Sequence, residues 1–316
     1  MKKLGILFSL LLGLVTLPVL IAAAIGVYLS RIMINPPRAK PLKSPDDEGM
    51  SFENVYYKAS DGVPLSAWFI PASRPGPQPA VIIVHGWPWD RSGDAADSLL
   101  AKLTGASPVE LLTPARVLHQ AGYHVLMFDL RNHGRSGSSP TVTFGHTEAR
   151  DLLGSVRYLR SRPDIDAARI GVLGYSMGAN AVMFACAETR DIKAAIAVQP
   201  VRPARFGRRL AEDLLGPLGG LALNIAHWLY YRSNGPLVES LDPSIVADLV
   251  SPSAIMYIQG NGDPWGSVSD VRRFYEQATA PKALKVVDTT DRYQGYRYLD
   301  EHPETMLSFL AEHLAR

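Results

Sequence analysis

Ala168–Cys186, ARIGVLGYSMGANAVMFAC, decides the fold. Ile170 to Leu173 is a short apolar run of the kind that forms a strand buried on both faces. Gly174-Tyr175-Ser176-Met177-Gly178 follows it, and Ala179 to Cys186 are mostly small and apolar, suited to a helix packed closely on a sheet. Strand, sharp turn with a serine at its apex, then helix is the context a G-x-S-x-G nucleophile elbow requires. The turn holds the serine in strained backbone geometry, so glycines fit two positions to either side. The helix then points its first N–H groups at a developing anion. By composition the pentapeptide turns up by chance in roughly one chain in ten of this length. Ser176 is therefore either a nucleophile or an idle turn residue, and the rest of the chain must decide between them.

The 316 residues can bury a large core. A net charge of +2 with interspersed signs gives no basic field for nucleic acid. The single cysteine, Cys186, excludes an internal disulfide and reads as inert core. No metal-ligand spacing, nucleotide-binding glycine loop or internal repeat stands out, so no cofactor and no metal is expected.

Leu4 to Ser30 carry no charge. A bilayer needs about twenty apolar residues, whereas the apolar part of a cleaved signal is about 7–15 long. The run predicts a retained single-pass anchor (1–31) in place of a cleaved signal. Lys2 and Lys3 on one side balance Arg31, Arg38, Lys40 and Lys43 on the other, so orientation stays open. Residues 32–50, with Pro36, Pro37, Pro41 and Pro45, predict a semi-extended spacer lifting the remaining chain, 51–316, off the membrane.

Glu53 to Ala59 and Leu65 to Ile70 predict a hairpin, and Ala80 to Val84 a central parallel strand ending in His85-Gly86-Trp87. Thr113 is placed to cap a helix beginning at Pro114. His124 to Asp129, Asp191 to Val198, Ser253 to Gln259 and Ala283 to Val287 read as further strands, with an amphipathic helix over Ala149 to Leu159. The alternation predicts an α/β fold with a mainly parallel sheet flanked by helices. It is interrupted at 201–249, where two helices are expected, Ala204 to Leu215 and Leu218 to Tyr231.

His85-Gly86-Trp87, the run from Asp129 to Ser136 (DLRNHGRS) and the elbow at Ser176 carry a resemblance to the α/β-hydrolases. Within them the chain resembles the membrane-anchored serine hydrolases related to the serine aminopeptidase group, from about residue 51 to the end. The resemblance implies a cap at 201–249 and an oxyanion hole built from the backbone N–H groups of Trp87 and Met177. It implies Asp263, in Gly260-Asn261-Gly262-Asp263, as the acid, with Asp270 the weaker alternative. It makes His85 and His133 structural. It also places a catalytic histidine within a few residues of the last strand. Asp288 to Tyr296 contain no histidine. Either a folded-back loop from Asp288 to Glu301 brings His302 to Ser176, or Tyr293 or His133 assists, or the site only binds.

Two of the named features stay open on the residues alone. Trp87 and Trp89 either wall an acyl pocket or pack a long loop. Arg202, Arg205, Arg208 and Arg209 either meet an anionic group or form a solvated face, and His227 reads as packing. The expected function is a membrane-tethered serine hydrolase of an ester, thioester or amide with a small hydrophobic acyl part. The alternatives are a non-catalytic binding protein and a scaffold using its cap as a docking surface. Oligomeric state is not legible.

Overall fold

A computed structural model of the chain describes residues 2–41, 43–250 and 253–315, giving helix backbone alone over 2–15. The side chains of Lys2 and Lys3, read as flanking charges, fall outside it.

The chain opens with α1 (Lys2–Ile34), β1 (Glu53–Lys58), β2 (Pro64–Ile70), β3 (Gln78–Val84) and the two-residue β4 (Gly93–Asp94). Next come α2 (Leu99–Thr104), β5 (Val109–Glu110), α3 (Leu112–Gln120), β6 (His124–Phe128) and α4 (Ala149–Arg160). The elbow joins β7 (Ile165–Tyr175) to α5 (Met177–Glu188), and β8 (Ala194–Val198) leads into cap helices α6 (Pro203–Leu215) and α7 (Gly219–Arg232). The chain closes with β9 (Ala254–Gly260), α8 (Val268–Gln277), β10 (Lys282–Val287), α9 (Arg292–Glu301) and α10 (Pro303–His313).

Among the described residues, eight strands form one sheet in the order β1-β2-β6-β3-β7-β8-β9-β10, and β4 pairs with β5 apart from it. β2 runs antiparallel to both neighbours; from β6 to β10 every pairing is parallel. The unbroken apolar sequence of β3 explains its central place, because alternate side chains feed opposite layers. Val81 and Ile83 join the core that includes α3, α9 and α10, while Ile82 and Val84 join the core that includes α4 and α5. Parallel order brings the strand ends at Val84, Tyr175, Val198 and Gly260 to one edge, where an open α/β sheet places its site.

Three sequence expectations are corrected. Thr113 lies inside α3, which starts one residue earlier with Leu111 as its cap. The strand expected from Asp191 begins only at Ala194, after Lys193 N–H has bonded the Ile170 carbonyl. The folded-back loop considered over Asp288 to Glu301 is α9 from Arg292 on, capped by the Asp291 side chain accepting from Gln294 N–H at 2.9 Å. That cap fixes Arg292 as the first helical residue.

The apolar helix at the N-terminus is long enough to cross a membrane, over Thr16–Ile34 by composition and length. Its second half leans on the cap. Ala22, Gly26 and Ser30 are buried at four-residue spacing, and a Cβ on Gly26 would stand 2.6 Å from the Ala222 carbonyl oxygen. The segment after it hugs the domain and does not stand away from it. Arg38 donates to the carbonyls of Gly134 at 3.0 Å and Ser136 at 2.5 Å, and Lys43 pairs with Glu110 at 2.9 Å.

Candidate active site

Ser176 sits between β7 and α5 with φ 52° and ψ −114°, a left-handed conformation that costs a residue with a side chain about 1–3 kcal/mol. Its own N–H is tied to the Val198 carbonyl at 2.9 Å. The flanking glycines are demanded by close approach. A Cβ on Gly178 would stand 2.3 Å from the Val84 carbonyl oxygen, and one on Gly174 would stand 2.5 Å from that of Gly178. So β3, β7 and α5 meet with no room for a methyl group, and this contact lifts Ser176 to the sheet edge. Met177 opens α5; as a first-turn residue its N–H has no carbonyl partner within the helix. Trp87, Ser176 and Met177 line one cavity, so the sequence-predicted nucleophile and both predicted amide donors come together. Trp87 lines this cavity and its neighbour; Trp89 lines the neighbour too and is buried edge-on against Tyr296 at 5.0 Å.

The turn after Val84 is held by His85. Its Nε2 accepts from Leu130 N–H at 3.0 Å and its Nδ1 bonds the Gly86 carbonyl at 2.7 Å. Burial drives its pKa down to about 4. His133, 5.1 Å away ring to ring, bonds the Arg131 carbonyl at 2.8 Å, and burial with His85 beside it pushes its pKa to about 3. Both are neutral supports of the strand-end turns, as the resemblance implied.

Asp263 follows β9 and is buried. One oxygen accepts from the N–H groups of Trp265 at 3.0 Å and Gly266 at 2.8 Å; the other receives the Arg292 guanidinium and, at 3.3 Å, the Gln259 amide. Bonds to both oxygens hold the carboxylate in one orientation.

The place between Asp263 and Ser176 is filled by Arg292. Its Nη1 pairs with Asp263, and its Nη2 donates to Ser176 Oγ at 3.2 Å. The Gln199 side-chain amide clamps the Arg292 carbonyl at 2.7 Å, and the guanidinium lies over Tyr296 at 4.9 Å and Phe206 at 5.1 Å. Burial is the largest single influence and disfavours its charge, but Asp263 together with Tyr296 and Tyr293 outweighs it, and the net shift is upward. It stays a cation at every physiological pH. Burial raises the Tyr296 phenol, which lies within hydrogen-bonding reach of Ser176, so it stays neutral too. Tyr293, weighed in the sequence as an assistant, is also raised by burial.

His302 goes elsewhere. It links α9 to α10, its side chain is 49% exposed, and its partners are Glu304 at 3.5 Å and the Tyr298 ring at 4.7 Å. The reason is the helix at Arg292: once residues 292–301 coil, residue 302 lies nearly three turns from the strand end. His227 of α7 lines the cavity that holds Ser176, and burial lowers its pKa. Three of the four cap arginines are engaged within the protein: Arg202 with Asp242 at 2.5 Å, Arg205 with Asp270 at 2.7 Å, and Arg209 with the Gly266 carbonyl. Asp270 is thereby committed to the cap and not to Ser176.

A family model described as "Alpha/beta hydrolase family" matches residues 81–314. Among curated proteins, the uncharacterized YqkD of Bacillus subtilis is 28% identical over 55% of this chain, and the match spans just over half, 57%, of YqkD. Thiohydrolase aneE of Aspergillus aculeatus is 26% identical over 82% of this chain and 73% of its own length. Among solved structures, the Pyrococcus furiosus esterase Pf2001 superposes with a TM-score of 0.70 at 25% identity, covering 89% of this chain and 97% of that one.

Proposed function

Because the chain belongs to the α/β hydrolase family, with an esterase among its solved neighbours, we propose that it is a membrane-tethered serine hydrolase that cleaves hydrophobic acyl thioesters and activated esters slowly, through an acyl-Ser176 intermediate. The observation that carries this reading is the position of Arg292 between Asp263 and Ser176. A guanidinium accepts no proton, so the hydroxyl loses its proton to solvent hydroxide. The same cation favours the alkoxide once it forms.

The alkoxide attacks the acyl carbon, and the new oxyanion is held by the N–H groups of Trp87 and Met177, each worth roughly a hundred- to a thousand-fold in rate. The carbon–sulfur bond then breaks and a thiolate leaves as an anion, taking its proton from water afterwards. Water or hydroxide next cleaves the acyl-serine to release the carboxylate. An amide lacks this route, because its nitrogen must be protonated as it leaves and Arg292, the cation beside Ser176, gives up no proton. The absent base costs about 10²–10⁴-fold relative to a Ser-His-Asp site. The name of the thiohydrolase relative agrees with the substrate preference.

The test compares thioester, phenyl ester and amide of one acyl group with wild type and Ser176→Ala. Thioester turnover lost in Ser176→Ala, with the amide untouched, supports the reading. No Ser176-dependent turnover and no fluorophosphonate labelling between pH 7 and 10 would remove it. Arg292 itself favours one second reading, a site that retains a fatty carboxylate without turnover; binding of a fatty acid weakened by Arg292→Met, with no hydrolysis at any pH, would select it.

A further inference from the structure

The cavity beside Ser176 is walled in part by the N-terminal helix. Leu29 and Met33 of α1 line it together with Phe206 and Leu210 of α6 and Leu223 of α7. Three contacts hold α1 there. Gly26 lets its backbone close on Ala222 of α7. The Trp87 indole N–H donates to the Ile32 carbonyl at 3.2 Å. Val142 N–H donates to the Met33 carbonyl at 3.2 Å. Two of these satisfy carbonyls in the last turn of α1, which have no partner within a helix. Trp87 is also the residue read as an oxyanion donor, so the end of α1 is fastened to the turn that builds the hole.

We propose that α1 is a working part of the ligand site: Leu29 and Met33 set which acyl chains the cavity accepts, and the fastening through Ile32 positions the Trp87 turn. Leu29 is 6% and Met33 7% exposed, at i and i+4 on one face. The opposite face carries Leu20, 65% exposed, and Val27, 40% exposed. The helix thus presents one apolar face to the cavity and another outward, and the ligand that fits the inner face is an unbranched acyl chain lying under α1. Removing the helix, by processing or by truncation, opens this wall and frees the Trp87 turn.

The inference rests on Ser176 as the nucleophile, and the test separates the two. The full-length chain in detergent is given acyl thioesters from two to fourteen carbons, with Leu29→Trp, Leu29→Ala and, on the outer face, Val27→Trp. Leu29→Trp fills the cavity and is expected to lower kcat/KM for the longest chains at least tenfold more than for the two-carbon substrate. Leu29→Ala lengthens the preferred chain, and Val27→Trp leaves the profile as in wild type. Because Leu29→Ala adds no bulk, it keeps the question open to measurement should Leu29→Trp fold poorly. Ser176-dependent turnover with one chain-length profile in all four proteins would overturn the proposal and leave the hydrolase reading standing. Absence of Ser176-dependent turnover in wild type would remove the hydrolase reading and this proposal with it.

Discussion

Nη2 of Arg292 lies 3.2 Å from Oγ of Ser176, and the other amino group of the same guanidinium pairs with Asp263. A permanent cation therefore occupies the space where an imidazole would relay a proton between nucleophile and acid. The consequence for chemistry is specific: charge stabilisation is kept, proton transfer is not.

The pH profile follows from this. Arg292 is held above its ordinary value, against burial, by Asp263 with Tyr296 and Tyr293, and does not titrate near neutrality. His85, at about 4, and His133, at about 3, are already neutral above pH 5. The rate of thioester cleavage should rise about tenfold per pH unit from pH 7 to 9, as expected when hydroxide removes the proton. Stopped kinetics across that range checks it. A rate already flat at pH 7, above an inflection below pH 6.5, would indicate an imidazole base, and loss of that inflection in His227→Ala would identify it as the cap histidine, whose pKa burial lowers.

The carboxylate and guanidinium stand or fall together. Both are almost fully buried, with side-chain exposures of 1% and 3%. Asp263→Asn leaves Arg292 charged and unpaired, which should lower unfolding stability by about 3 kcal/mol or more. Asp263→Asn with Arg292→Met should recover most of that loss, since neither charge then remains. Urea unfolding of the two single variants and the double variant measures the coupling; additive losses would contradict it.

His302→Ala should leave turnover within twofold of wild type. The side chain is half exposed and engaged with Glu304 and Tyr298. A hundredfold loss, with the fold intact, would mean that the helix from Arg292 to Glu301 unwinds to deliver the imidazole.

Much of this was legible in the sequence, and the failures have physical causes. Buried parallel strands announce themselves as unbroken apolar runs, and β3, β6 and the elbow strand lie where those runs are. The cap helices begin and end within one residue of expectation, because Pro203 and the Gly-Pro-Leu-Gly-Gly stretch punctuate them. The site residue that was missed is Arg292. The family pattern calls for a base at that place, and arginine is never one. The usable signal is positional: Arg292 occupies the slot after the last strand where the resemblance implies a histidine. The docking of α1 was missed for a related reason. A long apolar run reads as a span, yet Ala22, Gly26 and Ser30 at four-residue spacing form the small-residue stripe that lets two helices close.

Acid sensitivity should be steep. Burial lowers His85 and His133 below the unfolded value near 6.5, so the unfolded chain binds protons that the folded chain refuses. Their contribution to stability is complete above about pH 6.5 and is lost as pH falls toward 4 and then 3, by up to about 1.4 kcal/mol per pH unit for each. Urea midpoints at pH 7, 6, 5 and 4.5 should fall accordingly, and less steeply in His133→Gln. Equal midpoints across that range would contradict the burial account of the two rings.

The most direct measurement is the thioesterase rate of Arg292→His beside wild type and Arg292→His with Ser176→Ala. The backbone of residue 292 is held by the Gln199 amide and the Asp291 cap, and Asp263 is already fixed by two N–H groups. An imidazole placed there should raise kcat/KM at pH 7.5 by about a hundredfold or more, introduce an inflection near pH 7, and lose both in the Ser176→Ala background. A folded Arg292→His protein whose rate and pH profile match wild type would contradict the assignment of residue 292 to the base position.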